Sequence, residues 1–124
     1  MGIIGLIGRI ILGSILAVSG INHFRQIKGM VAYTRSKRVP MPSLAVAVTG
    51  IMLLFAGISI IGWWGSVIIP ALVVLAIFLF FATFMMHQFW KVTDPQARRH
   101  EMVAFMGNMM LFGATLVMLA FVSN

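Results

Sequence analysis

The chain has no cysteine, which excludes thiol chemistry and thiolate metal sites formed by its own residues. It also has little charge, because only 9% of its 124 residues are charged, whereas a soluble domain has about 25%. No phosphate-binding loop, nucleophile triad or zinc-ligand spacing is found, and the alternation typical of membrane strands is missing. These absences argue against a water-soluble fold and against the common catalytic motifs.

Hydrophobic residues make up 61% of the chain, and the mean hydropathy is +1.08. They occur in four runs of about 20 residues, the length of helix that crosses the hydrocarbon core of a bilayer. Lipid cannot bond to backbone polar groups, so each run is predicted to be helical. We therefore predict an all-α integral membrane protein, a four-transmembrane-helix bundle in one domain over 1–124. The predicted helices span about 3–24, 44–62, 66–88 and 102–122.

The first run is interpreted as a membrane span and not as a cleaved leader. No basic residue precedes its apolar stretch, and Arg9 interrupts the region where a leader has an unbroken apolar core.

Basic residues lie almost entirely on one side of the predicted bundle. Eight of the nine Lys and Arg residues fall in the connections 25–43 and 89–101, and the other connection and both termini have none. The positive-inside rule makes these connections cytoplasmic. We expect a multi-pass protein of the inner or plasma membrane with both termini outside.

The net charge of +7 raises the alternative of nucleic-acid binding. Basic residues beside membrane helices also set topology and attract anionic lipid headgroups, at about 1 kcal/mol each. This second explanation accounts for their positions, so the predicted partner of the basic loops is the lipid surface and not nucleic acid.

Arg9 is the only charge inside a run, and charges in membrane spans are costly enough to be functional candidates. It either extends to the outer headgroups, binds an anionic or carbonyl-bearing ligand, or bonds to backbone carbonyls near a helix end. Gly13 and Gly20 share its helical face and are predicted to let another helix approach closely.

Polar residues gather at the cytoplasmic end of the predicted bundle. They are ligand-binding candidates because histidine exchanges protons near neutral pH and glutamate can orient a histidine or accept its proton. We expect Thr83, His87 and Trp90 to continue one face of the third span. The candidates near this end are His23, Thr83, His87, Trp90, Glu101 and Asn108.

Two metal-binding alternatives are less favoured. Haem ligation by His23 and His87 competes with ordinary contacts of interfacial histidines with water and headgroups. Cu(I) binding by the methionines of the last run competes with their use as flexible apolar packing. No metal ligands are assigned.

The chain resembles the DoxX family of small four-helix membrane proteins along nearly its whole length. The segments that carry the resemblance are Gly8-Arg9, Ser19-Gly20, Val39-Pro40-Met41-Pro42, His87-Gln88-Phe89-Trp90, and Phe105-Met106-Gly107-Asn108 followed by Gly113.

The resemblance implies a quinone-associated or redox-accessory subunit of a membrane complex, with a quinone as the expected ligand and a redox subunit as the expected partner. The chain is not expected to be an enzyme on its own. The alternatives are a non-catalytic scaffold or assembly factor, which includes a homo-oligomer, and a small transporter. Arg9 stands in the first span, where small drug exporters have a glutamate, so transport is the weakest alternative.

Overall fold

The computed structural model describes residues 1–124 and contains no strand. The predicted all-α membrane fold is confirmed, since four helices are long and apolar enough to cross a bilayer. A fifth, shorter helix lies in the first basic connection. The helices are α1 (Ile3–Arg25), α2 (Ile27–Ser36), α3 (Pro42–Gly62), α4 (Ile68–Met86) and α5 (Pro95–Ser123).

Local sequence explains where the helices begin. Proline is the first residue of both α3 and α5, where its missing N–H costs no helical hydrogen bond. The carboxylate of Asp94 accepts from Ala97 N at 2.9 Å and caps α5. As a result α5 starts seven residues before the predicted span, and Glu101 lies within a continuous helix.

The long helices pack in the order α1, α3, α4, α5, and α2 rests against α3. The apolar core draws on all four long helices. Its most buried members are Leu16, Leu53, Ala56, Ile60, Ile68, Leu72, Leu75 and Leu79. The outward faces, particularly of α1 and α5, expose isoleucine, valine and methionine, which is the surface expected against lipid.

Glycines bring α1 and α3 into backbone contact. A Cβ added to Gly13 would lie 2.5 Å from the Gly57 carbonyl oxygen, and one added to Gly20 would lie 2.6 Å from that of Gly50. Gly57 is equally close to Gly13, so the approach is reciprocal. Small residues of this kind allow membrane helices to associate through close van der Waals packing. We call these four residues the glycine seam.

Candidate functional site

Arg9 lies at the end of the bundle where α3 finishes. Its Nε donates to the Ile60 carbonyl oxygen at 3.2 Å, and its Nη2 donates to that of Ile61 at 2.6 Å. The guanidinium also lies 5.7 Å from the centroid of the Trp63 ring. The last carbonyls of a helix lack intrahelical donors and carry partial negative charge, so a cation is stabilising there. Of the three expectations for Arg9, the geometry matches binding to backbone carbonyls.

The opposite end, which we call the basic end, is where residues 25–41 and 87–101 meet. Glu101 is buried there, with 5% of its surface exposed. Its carboxylate accepts from the Tyr33 hydroxyl at 2.6 Å, from Lys37 Nζ at 3.3 Å and from His87 Nδ1 at 3.2 Å. Three donors, one of them cationic, offset the cost of burying a carboxylate. We call these four residues the Glu101 cluster.

Three helices bring the cluster together. Tyr33 lies on α2, Lys37 follows directly after it, His87 follows α4, and Glu101 lies in the second turn of α5. Tyr33 and Lys37 are more than 60 residues away from Glu101 along the chain. The cluster therefore fastens α2 to the rest of the bundle.

Tyr33 illustrates the electrostatics of this cluster. Partial burial disfavours the charged phenolate form of Tyr33, and so do the hydrogen bond to the Glu101 carboxylate and its negative charge. Together they raise the pKa of the Tyr33 phenol above its usual range. The hydroxyl therefore stays a donor at physiological pH.

A cavity of about 560 Å³ lies between the helices on the same half of the molecule. We call it the interhelical cavity. Sixteen of its 22 lining residues are hydrophobic, so its walls are mainly apolar. Its polar groups are the hydroxyl of Tyr33, which is counted among the sixteen, and the side chains of the other six residues: Ser19, His23, Thr34, Thr49, His87 and Asn108. Apolar walls with a few polar groups are typical of small-molecule sites of 300–1,000 Å³.

The cavity opens toward the outside of the bundle along α4. Ile77, Phe81 and Met85 line the cavity, lie four residues apart on one face of α4, and are exposed. All three side chains are apolar, as expected of a surface that faces the hydrocarbon region of a bilayer.

The structure brings some predicted site residues together and separates others. His23, His87 and Asn108 line the interhelical cavity, and Glu101 bonds to His87. Arg9 is at the other end of the bundle.

Two further candidates lie elsewhere at the basic end. Thr83 is fully buried, and its hydroxyl has no hydrogen-bond partner within the chain. Trp90 is 46% exposed and stacks edge-on with Phe89 and Phe105. The predicted shared face of Thr83, His87 and Trp90 is wrong, because α4 ends at Met86 and the chain turns before a short 3-10 helix over Phe89–Lys91.

Sequence reasoning missed Tyr33 and Lys37, since it treated 25–43 as a loop. Their signal was nevertheless present. Met30, Tyr33, Thr34 and Lys37 follow the i, i+3, i+4, i+7 spacing of one helical face, while Lys28 and Arg35 lie off that face. The same spacing would have indicated Gly50 and Gly57, which repeat the seven-residue interval of Gly13 and Gly20.

The side chains offer no group of three or more His, Asp or Glu residues arranged to hold a metal ion. The cavity is instead suited to an organic ligand with an apolar body and a few polar atoms.

Comparison with known proteins identifies one family. The family model named DoxX matches residues 4–88, more than two thirds of the chain. This range covers α1 to α4 and includes Tyr33, Lys37 and His87, whereas Glu101 and Asn108 lie beyond it. No curated protein matches the chain, and no solved structure matches it either.

Proposed function

Because the chain belongs to the DoxX family of membrane proteins, we propose that it is a redox-accessory subunit that binds a quinone, or a similar lipid-soluble ligand, in the interhelical cavity. The observation that carries this proposal is the cavity itself. It combines an apolar wall, an opening toward lipid along α4, and histidines at the basic end.

The shape and chemistry of the cavity fit such a ligand. A quinone has a flat ring with polar oxygens and an apolar tail, and it is dissolved in the bilayer. The ring fits a cavity of about 560 Å³, and the tail can lie along the exposed stripe of Ile77, Phe81 and Met85. His23, His87 and Asn108 supply polar atoms for the ring oxygens.

The Glu101 cluster adds a connection to water. Glu101 also lines a small polar pocket at the basic end together with Lys37 and Asp94. His87 touches both Glu101 and the cavity, so a chain of titratable groups leads from the cavity to that pocket. Histidine and glutamate are suited to passing protons, which the oxygens of a quinone take up or release when its redox state changes.

The role is that of an accessory subunit because the chain's own residues form neither a thiol pair nor a metal-binding group. We assign ligand binding and proton exchange to this chain, and electron transfer to a partner subunit of the membrane complex. The basic segments would meet anionic headgroups at the cytoplasmic surface.

The test is a titration of the purified protein in lipid nanodiscs with a decyl-substituted benzoquinone, with empty nanodiscs to subtract partition into lipid. Saturable binding is expected. Asn108→Ala removes a side chain that can donate to a quinone oxygen, and Ser19→Phe fills space, so each should weaken binding by roughly tenfold or more.

Arg99→Ala is the control, because Arg99 is exposed and lines neither the cavity nor the small polar pocket beside Glu101. Binding that is equal in the wild type, Asn108→Ala and Ser19→Phe would remove the cavity from consideration, as would no binding above the empty-nanodisc level.

A further inference from the structure

His23 and His87 line the interhelical cavity, and in both the ring nitrogen Nδ1 already makes a hydrogen bond within the chain. Nδ1 of His23 lies 2.8 Å from the Ser19 carbonyl oxygen, and Nδ1 of His87 lies 3.2 Å from Oε2 of Glu101. A carbonyl oxygen and an ionised carboxylate only accept hydrogen bonds, so Nδ1 carries the proton in both rings. In a neutral imidazole the remaining nitrogen, Nε2, then has a lone pair and no proton. The free nitrogen of each histidine is therefore an acceptor.

The other polar groups of the cavity do not supply a matching fixed donor. No lysine, arginine or tryptophan side chain lines it, and the Tyr33 hydroxyl is used by Glu101. The Thr49 hydroxyl donates to a carbonyl of its own helix and is left as an acceptor. Three lining side chains can both donate and accept, so they do not distinguish ligands: Ser19, Thr34 and Asn108. Among the side chains that can play only one role toward a ligand, the hydrogen-bond acceptors therefore outnumber the donors.

From this polarity we propose that the cavity selects the reduced, hydroxyl-bearing form of its ligand, a quinol, over the quinone. The inference rests on the proposed function and adds the redox form that the site prefers. A quinol presents O–H donors to the two Nε2 lone pairs, whereas a quinone presents only carbonyl oxygens. Acceptors facing acceptors leave polar groups without partners, and such unpaired groups are costly in a mainly apolar site.

The experiment compares the two redox forms of one compound on the full-length protein. Decyl-substituted benzoquinone and its chemically reduced quinol are each titrated into nanodiscs without oxygen and in the same buffer. Two additional hydrogen bonds should make the quinol bind roughly tenfold more tightly than the quinone.

The variants His23→Asn and His87→Asn isolate the free nitrogen. The asparagine amide can still donate near the former Nδ1 position, but it has no acceptor where Nε2 was. Each should lower quinol affinity toward that of the quinone and leave quinone affinity almost unchanged, and Arg99→Asn, at an exposed site that lines neither pocket, should change neither.

The possible failures are distinguishable. Quinone binding as tight as quinol binding, with the same response to the variants, would overturn the preference and leave the proposed function standing. A preference that persists in both asparagine variants would overturn the assignment to the histidines. Saturable binding of neither form would overturn the proposed function and this inference together.

Discussion

At the scale of single residues, Glu101 shows how this chain tolerates a buried carboxylate. It is one of only two acids in the sequence, and a burial of 95% would disfavour its charge if it were alone. Tyr33, Lys37 and His87 each donate to it, so removing Glu101 also leaves three donors without their acceptor.

The titration of Tyr33 should report the hydrogen bonds of the Glu101 cluster directly, because Tyr33 is the only tyrosine in the chain and no other phenol contributes to the signal. The pKa of Tyr33 is higher in the folded protein than the ordinary tyrosine value of about 10. The neutral phenol therefore stabilises the fold fully at pH values below about 10, and this stabilisation is lost as the pH rises through the folded-state pKa. Tyrosinate absorbance should appear only at strongly alkaline pH. Glu101→Gln should move its appearance down toward about pH 10.

Asp94→Asn is the control for that titration, since Asp94 is the other acid and caps α5 without contacting Tyr33. Its tyrosinate curve should match the wild type. Equal curves for Glu101→Gln and the wild type would contradict the assigned contact.

At the scale of helices, the glycine seam determines how closely α1 and α3 approach. Gly13→Ala places a methyl group against the Gly57 backbone, and backbone cannot move aside as a flexible side chain can. We expect a loss of about 1–3 kcal/mol of stability, the usual cost of overpacking, measured as a lower thermal unfolding midpoint in nanodiscs.

Gly8→Ala is the matched variant on the same helix, because nothing lies within 4 Å of its added Cβ. It should be neutral or slightly stabilising, since alanine favours helix more than glycine does. Similar losses for Gly8→Ala and Gly13→Ala would mean that helix contact is not the cause.

The four spans could be predicted because each is a long apolar run, and hydropathy is a strong signal at that length. The helix α2 could not be found in that way, since its ten residues include a glycine and two charges and form no long apolar run. Its evidence is the spacing of Met30, Tyr33 and Thr34. The start of α5 depends on Asp94 and Pro95, which lie before the fourth apolar run and therefore outside the predicted span.

At the scale of the whole molecule, the positive-inside rule makes a prediction about orientation that remains to be measured. The absence of native cysteine allows single cysteines to be placed without a background. In intact cells, an impermeant maleimide should label Ser66→Cys, in the turn between α3 and α4, and not Ser36→Cys at the end of α2. In inside-out vesicles the pattern should reverse.

Both serines are exposed, so unequal labelling reflects the side of the membrane and not burial. Labelling of Ser36→Cys alone in intact cells would invert the predicted topology.

The composition of the site was predicted less completely than the spans. The polar character of the basic end follows from positions along each helix, so the sequence could place His23, His87, Glu101 and Asn108 at that end as candidates. Which of them meet depends on how far α4 continues and on where α2 packs. Both depend on tertiary packing, which a single sequence does not reveal. The same packing places Trp90 beside Phe89 and Phe105, outside the cavity.

The bonds of Arg9 have a consequence for how the chain is made. Its acceptors, Ile60 and Ile61, are 51 and 52 residues further along, so they are synthesised after α1 has left the ribosome. An arginine at that depth is costly in lipid until the carbonyls arrive. We therefore expect α1 to reach its full stability in the membrane only once α3 packs beside it and its carbonyls meet Arg9.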